Sequence, residues 1–303
     1  MAVTAKLTLG PVLFNWSPEY LRDFYYRIAD EAPVDSVYLG EVVCAKRAPF
    51  FEPHLHEVAG RLRRAGKEVV LSTLALVMNE QDSAAVRRVA NEQASWLVEA
   101  NDISCVNLIE GRPHVIGPFV NVYNERTLRY LVERGAVRVS LPAELPASSL
   151  AVLAGSAEVE LEVQVFGRLP LAISARCYHA RSHGLTKDGC RFVCAEDTDG
   201  MEVFTLDGEP FLAVNGTQTM SSTYCNLLAQ LDALRDAGIG AFRLWPHRLD
   251  MVRVATIFRE VLDRRVAIDQ AMAALTELTA GARFSNGFYF AKEGLTLVSE
   301  ADR

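Results

Sequence analysis

The residues of this chain best suited to chemistry are cysteines gathered in one short stretch. CYHARSHGLTKDGCRFVC, residues 177–194, holds three of the six cysteines, Cys177, Cys190 and Cys194, in the spacing C-x₁₂-C-x₃-C. Thiolates are soft ligands that select zinc or iron–sulfur clusters. Both kinds of site commonly use four ligands, so a fourth has to come from elsewhere in the chain.

The spacing of the cysteines bears on which metal they could bind. Structural zinc sites usually take cysteines in C-x₂₋₄-C pairs, and one C-x₃-C pair fits neither a zinc ribbon nor a ferredoxin run. A cluster is wider than one ion, so it accepts irregular spacing. Neighbouring cations would offset its negative charge and favour the thiolates. These cations are Lys46, Arg47, Arg176, Arg181, Lys187 and Arg191. An iron–sulfur site, a zinc site and four unrelated thiols all stay open at this point.

The other cysteines and the nearby histidines are interpreted as structural. Cys105 lies in the strand-like run ISCVNL and is expected to be a small core residue. Cys225, in TYCNLLAQL near a predicted helix start, is expected to be buried as well. Four histidines are expected at a helix start or in a solvated loop rather than as ligands: His54, His56, His179 and His183.

Composition and motif content exclude several classes of function. The chain has 303 residues and a net charge of −7, which argues against a general nucleic-acid binder. The N-terminal sequence MAVTAKLTLGPVLFNW does not read as a signal peptide, and no apolar stretch reaches the ~18 residues typical of a membrane span. A cytoplasmic protein is therefore expected, where clustered cysteines are metal ligands or catalytic thiols more often than disulfides. P-loop, dinucleotide-binding, zincin and nucleophile-elbow motifs are absent from the sequence.

Strand-like and helical segments alternate along the chain. Strand-like runs begin near residues 6, 35, 68, 103, 114, 137, 159 and 239, and a long helix is predicted over 82–98. Eight alternations predict a (β/α)₈ barrel, an α/β fold with parallel strands and right-handed crossovers. No helix fits between Ile109 and His114, although a parallel crossover needs about a dozen residues. Either this β/α unit is degenerate or one of the two runs is not a barrel strand.

A barrel of this kind also supplies the fourth thiol. Functional loops of such barrels follow the C-terminal ends of the strands. Cys44 follows DSVYLGE by three residues, and the cysteine stretch follows the strand predicted over 158–167. We therefore expect Cys44, Cys177, Cys190 and Cys194 to meet at one rim, although the first two are 133 positions apart.

The segment after the cysteine stretch predicts an insertion into the barrel. MEVFTLDGEPFLAVNG reads as a hairpin that turns at Asp207-Gly208, because Asp-Gly tolerates the positive φ of a tight turn. The predicted organisation is a single barrel domain over residues 1–303, with the cysteine loop and this hairpin inserted at about 168–220.

Several segments carry a family resemblance across nearly the whole chain. They are GPVLFNWSPEYLRDFYYRIAD, VDSVYLGEVVCAKR, VIGPFVNVYNERTL, the loop from Cys177 to Cys194, and FSNGFYF near the end. Together they resemble the large family of collagenase-like peptidases of unknown catalytic type, family U32. Cys44, Cys177, Cys190 and Cys194 fall where cluster ligands of that family fall, so the resemblance implies a [4Fe-4S] cluster on these four residues.

The resemblance also implies a function. It points to oxygen-independent hydroxylation of the quinone ring in ubiquinone biosynthesis, in anaerobic cells and with prephenate as the oxygen donor. It implies a heterodimer with UbiU, a related cluster-binding protein, and a lipid-carrier protein that presents the apolar precursors. Two alternatives remain: a non-catalytic cluster-bearing partner subunit, and a peptidase, for which the sequence shows no recognisable catalytic motif.

Overall fold

The computed structural model describes residues 5–92, 96–156 and 158–299. The strands in these ranges are β1 (Lys6–Leu9), β2 (Ser36–Leu39), β3 (Glu68–Ser72), β4 (Leu97–Ala100), β5 (His114–Ile116), β6 (Ala136–Ser140), β7 (Glu160–Ile173), β8 (Met201–Phe204), β9 (Pro210–Asn215), β10 (Gln218–Asn226), β11 (Ala241–Leu244) and β12 (Phe284–Ser285). The α-helices are α1 (Pro18–Glu31), α2 (Ala48–Arg64), α3 (Glu80–Asn91), α4 (Ile103–Ile109), α5 (Glu125–Glu133), α6 (Ala147–Ala154), α7 (Tyr178–Ser182), α8 (Leu231–Asp236), α9 (Met251–Leu262) and α10 (Ile268–Leu278).

Eight parallel strands close into a barrel. Strands β1 to β7 pair in chain order, and β11 pairs with both β7 and β1 to complete the ring. In the closing register Leu9 lies opposite Leu244, and Ala241 opposite Glu162. The predicted (β/α)₈ barrel is therefore confirmed, and the loops after the strands share one face.

Helix starts in this barrel follow local capping chemistry. Ser17, Asn79 and Asn124 each precede a helix and accept a hydrogen bond from a backbone N–H of its first turn. Such caps satisfy backbone donors that have no partner inside the helix. They fix where α1, α3 and α5 begin after the preceding strands. None of the described helices combines the length and apolarity that crossing a membrane would require.

Of the two alternatives for the unit between Ile109 and His114, a degenerate unit or a run that is not a barrel strand, the second is correct. The barrel strand is β4, and the run at 103–109, predicted as a strand, is helix α4, which provides the crossover to β5. The helix predicted over 82–98 ends at Asn91, and its residues 93–95 lie outside the described ranges. Asp102 caps α4 by accepting from the Ser104 N–H at 2.8 Å. This cap marks the start of the helix.

The barrel interior contains buried charges. Arg243 on β11 lies 2.7 Å from Glu99 and 2.5 Å from Glu162, and all three side chains are 0% exposed. The Thr8 hydroxyl donates to Glu162 at 2.5 Å, and the Tyr38 ring lies 4.1 Å from the guanidinium carbon of Arg243. This network links strands β1, β2, β4, β7 and β11 across the barrel.

Strand β7 runs beyond the barrel into the inserted segment. Its outer half pairs antiparallel with β10, and β10, β9 and β8 continue the sheet. The predicted hairpin is present as β8 and β9, with Gly208 at φ +87° in its turn. The helix predicted to start at TYCNLLAQL is wrong in its first half, because β10 extends to Asn226 and α8 begins at Leu231.

Candidate functional site

Cys44 is positioned by a short turn after β2. Gly40 adopts φ +118°, a conformation that favours glycine, and brings the chain back over the barrel rim. The Glu41 carboxylate then accepts from the N–H groups of Val43 and Cys44 at 2.7 and 2.9 Å. Two hydrogen bonds to one oxygen hold the backbone at Cys44 in place.

The other three thiols come from the loop that follows β7. Cys177 precedes helix α7, and its Sγ accepts from the Ala180 N–H at 3.4 Å. The Lys46 ammonium donates to the carbonyl oxygens of Lys187 and Asp188 at 2.8 and 3.0 Å. The loop carrying Cys190 is thereby joined to the segment carrying Cys44.

The structure brings the four predicted thiols to one place. Cys44, Cys177, Cys190 and Cys194 line a single cavity of about 20 Å³ at the barrel rim, together with Arg47 and Lys187. Cys194 is buried and the other three are half-buried. The expected convergence of loops far apart in sequence is observed, and the ligand role of these cysteines remains a prediction.

Buried Arg47 opposes the effect of burial on these thiols. Burial raises the pKa of Cys44 and of Cys194, while the nearby Arg47 charge lowers the pKa of both. Asn15 Nδ2 also donates to Cys194 Sγ at 3.4 Å and favours its thiolate. Arg47 is held by Glu41 at 2.6 Å and by the carbonyl oxygen of Leu13 at 3.0 Å.

The donor set of four thiols could hold a thiolate-bound metal centre. Four thiols are a ligand set of [4Fe-4S] clusters and also of structural zinc sites. The cavity holds roughly one water-sized sphere. Arg191 and Phe192, at φ +50° and +56°, hold this loop in a conformation that is costly for residues other than glycine.

The remaining predicted residues lie away from the thiol cavity or in other roles. Cys105 is buried in α4, not in a strand, and burial raises its pKa to about 11. Cys225 is buried in β10, not near a helix start, and burial raises its pKa to about 12. His54 and His56 lie within α2 rather than at its start. Both cysteines are core residues, as expected.

His179 is not the solvated loop histidine that was expected. Its side chain is 0% exposed, and its Nε2 lies 2.8 Å from the Asp197 carboxylate. The ring stacks on the His183 ring with centroids 5.7 Å apart. Burial lowers the pKa of His179, and Asp197 opposes this shift. The pair braces α7 against the segment after Cys194.

Asp199 joins the inserted sheet to the barrel. Its carboxylate lies 2.7 Å from His247 Nδ1 and accepts from the Tyr224 hydroxyl at 2.7 Å. Nε2 of His247 accepts from the Arg168 N–H at 3.0 Å, so both ring nitrogens are engaged. Burial alone would raise the pKa of Asp199, but His247 and Arg168 outweigh it and the pKa is lowered. This cluster is a structural connection.

Sequence reasoning missed two residues that shape the thiol cavity. Asn15 lies in the loop after β1 and reaches Cys194 across 179 positions, with no local pattern to mark it. Glu41 stands three residues before Cys44, and that proximity was the only available signal. Among the flanking cations, Arg47 and Lys187 line the cavity, and Lys46 anchors the loop.

A known protein family matches most of this chain. A model of Peptidase family U32 matches residues 19–298. The U32 peptidase Mk0906 is 11% identical, with coverage of 80% of this chain and 93% of that one and a TM-score of 0.46. A tryptophan synthase complex from Pyrococcus furiosus is 13% identical, covering 92% and 100%, with a TM-score of 0.43. The DAHP synthase from Thermotoga maritima is 10% identical, covering 93% and 72%, with a TM-score of 0.46. The identities and TM-scores of these three structures are too low to carry an argument about activity.

Proposed function

The chain belongs to peptidase family U32, and on that premise we propose that it is a UbiV-type iron–sulfur protein of oxygen-independent ubiquinone biosynthesis. Cys44, Cys177, Cys190 and Cys194 would hold a [4Fe-4S] cluster, and the protein would act with UbiU in hydroxylating the quinone ring.

The observation that carries this proposal is the meeting of the four thiols. Cys44 follows β2 and the other three follow β7, yet all four line one cavity. Cys105 and Cys225 do not line it, and both are core residues. Unrelated thiols have no reason to separate into one clustered set of four and two isolated core residues. The donor chemistry, four soft thiols, matches the ligand set of such clusters.

The surrounding side chains have defined tasks in this proposal. When bound, a cluster held by four cysteines supplies one-electron transfer and has no open coordination position for substrate. Arg47 places a positive charge beside the thiolates and Asn15 donates to Cys194, so both stabilise negative charge there. Glu41 fixes both Arg47 and the Cys44 backbone. These residues partly offset the effect of burial, which raises the pKa of Cys44 and of Cys194.

The rest of the proposal concerns partners. UbiU would complete the hydroxylating unit, prephenate would supply the oxygen atom, and a lipid-carrier protein would present the apolar precursors. An oxygen-sensitive cluster and an organic oxygen donor together suit growth without O₂. The resemblance in sequence supports these points.

Iron analysis of cysteine variants tests the proposal. Anaerobically purified protein should contain about four irons per chain with matching sulfide. Cys44→Ala, Cys190→Ala, Cys194→Ala and Cys177→Ser should each lose most of this iron. Serine is used at position 177 because its oxygen retains the helix cap now made by Cys177.

The matched controls are Cys105→Ala and Cys225→Ala, which also remove a thiol but should keep the iron. The same preparations are assayed for ring hydroxylation with and without UbiU, and activity is expected only with UbiU and with the iron present. Full iron in Cys44→Ala would refute the shared site. Hydroxylation that persists after loss of the cluster would refute its role.

A further inference from the structure

Cys194 is the most enclosed of the four thiols at the barrel rim. It is 8% exposed, whereas the other three are half-buried. Water has little access to so enclosed a residue, so a hydrogen bond to its sulfur has to come from the protein. In surroundings of low dielectric constant a hydrogen bond is electrostatically stronger than it is in water. A side chain that donates to Cys194 therefore acts strongly on the charge of its sulfur.

The half-buried side chain of Asn15 supplies such a donor. Its Nδ2 lies 3.4 Å from Cys194 Sγ. Within the parts of the chain that the structure describes, Cys194 is the one of the four thiols whose sulfur accepts a hydrogen bond from a side chain. A thiolate accepts hydrogen bonds and has no proton to donate, so the amide nitrogen of Asn15 has to face it rather than the amide oxygen. The contact therefore suits the charged form of Cys194.

The loop after β1 that carries Asn15 is fixed on both sides of this residue. On one side, the Leu13 carbonyl oxygen accepts a hydrogen bond from buried Arg47 at 3.0 Å. On the other side, Trp16 Nε1 donates to the carbonyl oxygen of Thr198, in the segment that follows the cysteine stretch, at 2.6 Å. Both bonds tie the loop to segments that carry the thiols. The amide of Asn15 is therefore held in place by its neighbours, as supporting residues hold the ligands of metal sites.

A hydrogen bond to a ligand sulfur acts on the reduction potential of an iron–sulfur cluster. Reduction adds one electron, and so one negative charge, to the cluster and its thiolates, and no bond breaks. Burial disfavours the added charge and lowers the potential, whereas a donor stabilises the more negative state and raises it. Arg47 also places positive charge nearby, but it shares this charge with the Glu41 carboxylate at 2.6 Å. The Asn15 amide acts on the sulfur directly.

We propose that Asn15 is a positioning residue that acts through Cys194 and raises the reduction potential of the bound cluster. Its hydrogen bond offsets the effect of burial on that side of the site. The inference rests on the proposed function, because it requires a cluster on the four thiols. The electron comes from an external one-electron carrier, and a higher potential allows a weaker reductant to deliver it.

Redox titration of the anaerobically purified protein with dithionite, followed by visible absorption, tests this role. Asn15→Leu keeps a similar volume but removes the donor. Loss of one hydrogen bond to a charged group should change the one-electron equilibrium constant about tenfold, which lowers the potential by ~59 mV. Asn15→Gln keeps the amide nitrogen and should recover most of this loss. The longer side chain has room, because Asn15 also lines a larger cavity of about 360 Å³ beside Tyr25.

The matched control is Asn91→Leu, the same substitution at a second asparagine. Asn91 lines the larger cavity but not the thiol cavity, so its replacement should leave the potential unchanged. Iron and sulfide are measured in each preparation, so that potentials are compared only between proteins that hold the cluster. Asn15→Leu with full iron and an unchanged or raised potential would overturn the inference. An equal fall in Asn91→Leu would overturn it as well.

A measurement on the unaltered chain decides the matter if Asn15→Leu loses its cluster. Pulsed EPR of the reduced protein, with isotopically labelled nitrogen in its asparagine side chains, should show a labelled nitrogen coupled to the cluster. Absence of this coupling would refute the contact with Asn15. Iron content separates the inference from the proposed function. An unaltered chain without iron would refute the proposed function, whereas iron with a potential insensitive to Asn15 would refute this inference alone.

Discussion

The buried charges inside the barrel allow a quantitative test by the substitution Arg243→Met. Arg243 pairs with two carboxylates, and all three side chains are fully buried. Methionine fills a similar volume but leaves Glu99 and Glu162 without their shared cation. Breaking a buried ion pair on one side typically costs about 3–5 kcal/mol. Since domains are usually stable by about 5–15 kcal/mol, the variant should fold but unfold at much lower urea concentration.

The loss of stability in Arg243→Met should also depend on pH. Burial alone would raise the pKa of Glu162, but Arg243 and Arg138 outweigh it and the pKa is lowered. A carboxyl with a lowered pKa in the folded state stabilises the protein above the unfolded value of about 4.3, and that contribution is lost as pH falls through the folded value. The difference between the unaltered chain and Arg243→Met should therefore be largest near pH 7 and smaller at pH 4.

Urea unfolding of the metal-free, reduced protein measures both effects. The matched control is Arg61→Met, because Arg61 lies 2.6 Å from Asp30 in an exposed pair with side chains 40% and 48% exposed. Exposed pairs contribute about 0–1 kcal/mol, so the control should lose little at either pH. A loss below about 1 kcal/mol for Arg243→Met, or one that grows as pH falls, would refute the argument that burial makes this network costly to break.

Two further substitutions test the connections around the thiol site. Asp199→Asn should lower the free energy of unfolding by about 2 kcal/mol at pH 7, because charge-assisted hydrogen bonds are lost. The pKa of Asp199 is lowered in the folded chain, so urea unfolding should show this loss shrinking as the pH falls below the unfolded pKa of about 3.9. A loss that does not change with pH would contradict this. Gly40→Ala should destabilise the chain by about 1–3 kcal/mol and reduce bound iron, because Gly40 has φ +118° and an added Cβ would lie 2.6 Å from the Ser72 carbonyl oxygen. The control Gly66→Ala has positive φ but no atom within 4 Å of the added Cβ, so it should keep its iron.

Local patterns in the sequence determined the barrel and the set of thiols. Strand and helix periods are set by neighbouring residues, so the (β/α)₈ alternation could be predicted without a structure. The rule that functional loops follow parallel strands then placed Cys44 at the same rim as Cys177. The Asp207-Gly208 turn was predictable for the same reason, since its backbone conformation depends on only a few residues.

The error at residues 97–109 shows where local patterns fail. Short β-branched runs are compatible with a strand or a buried helix, and ISCVNLI was assigned to the wrong one. The Asp102 cap and pairing of β4 with both β3 and β5 decide the outcome. Of these, only the cap is local, and the pairings depend on the whole ring.

Tertiary structure alone decided which distant side chains meet. The contact of Asn15 with Cys194, the pairing of Arg243 with Glu99 and Glu162, and the cavity beside Tyr25 join residues far apart in the chain. No periodicity marks them, because each depends on the register at which the barrel closes and on how helices pack over its rim. The sequence therefore identified which residues could be reactive, but only the closed barrel shows which side chains lie beside them.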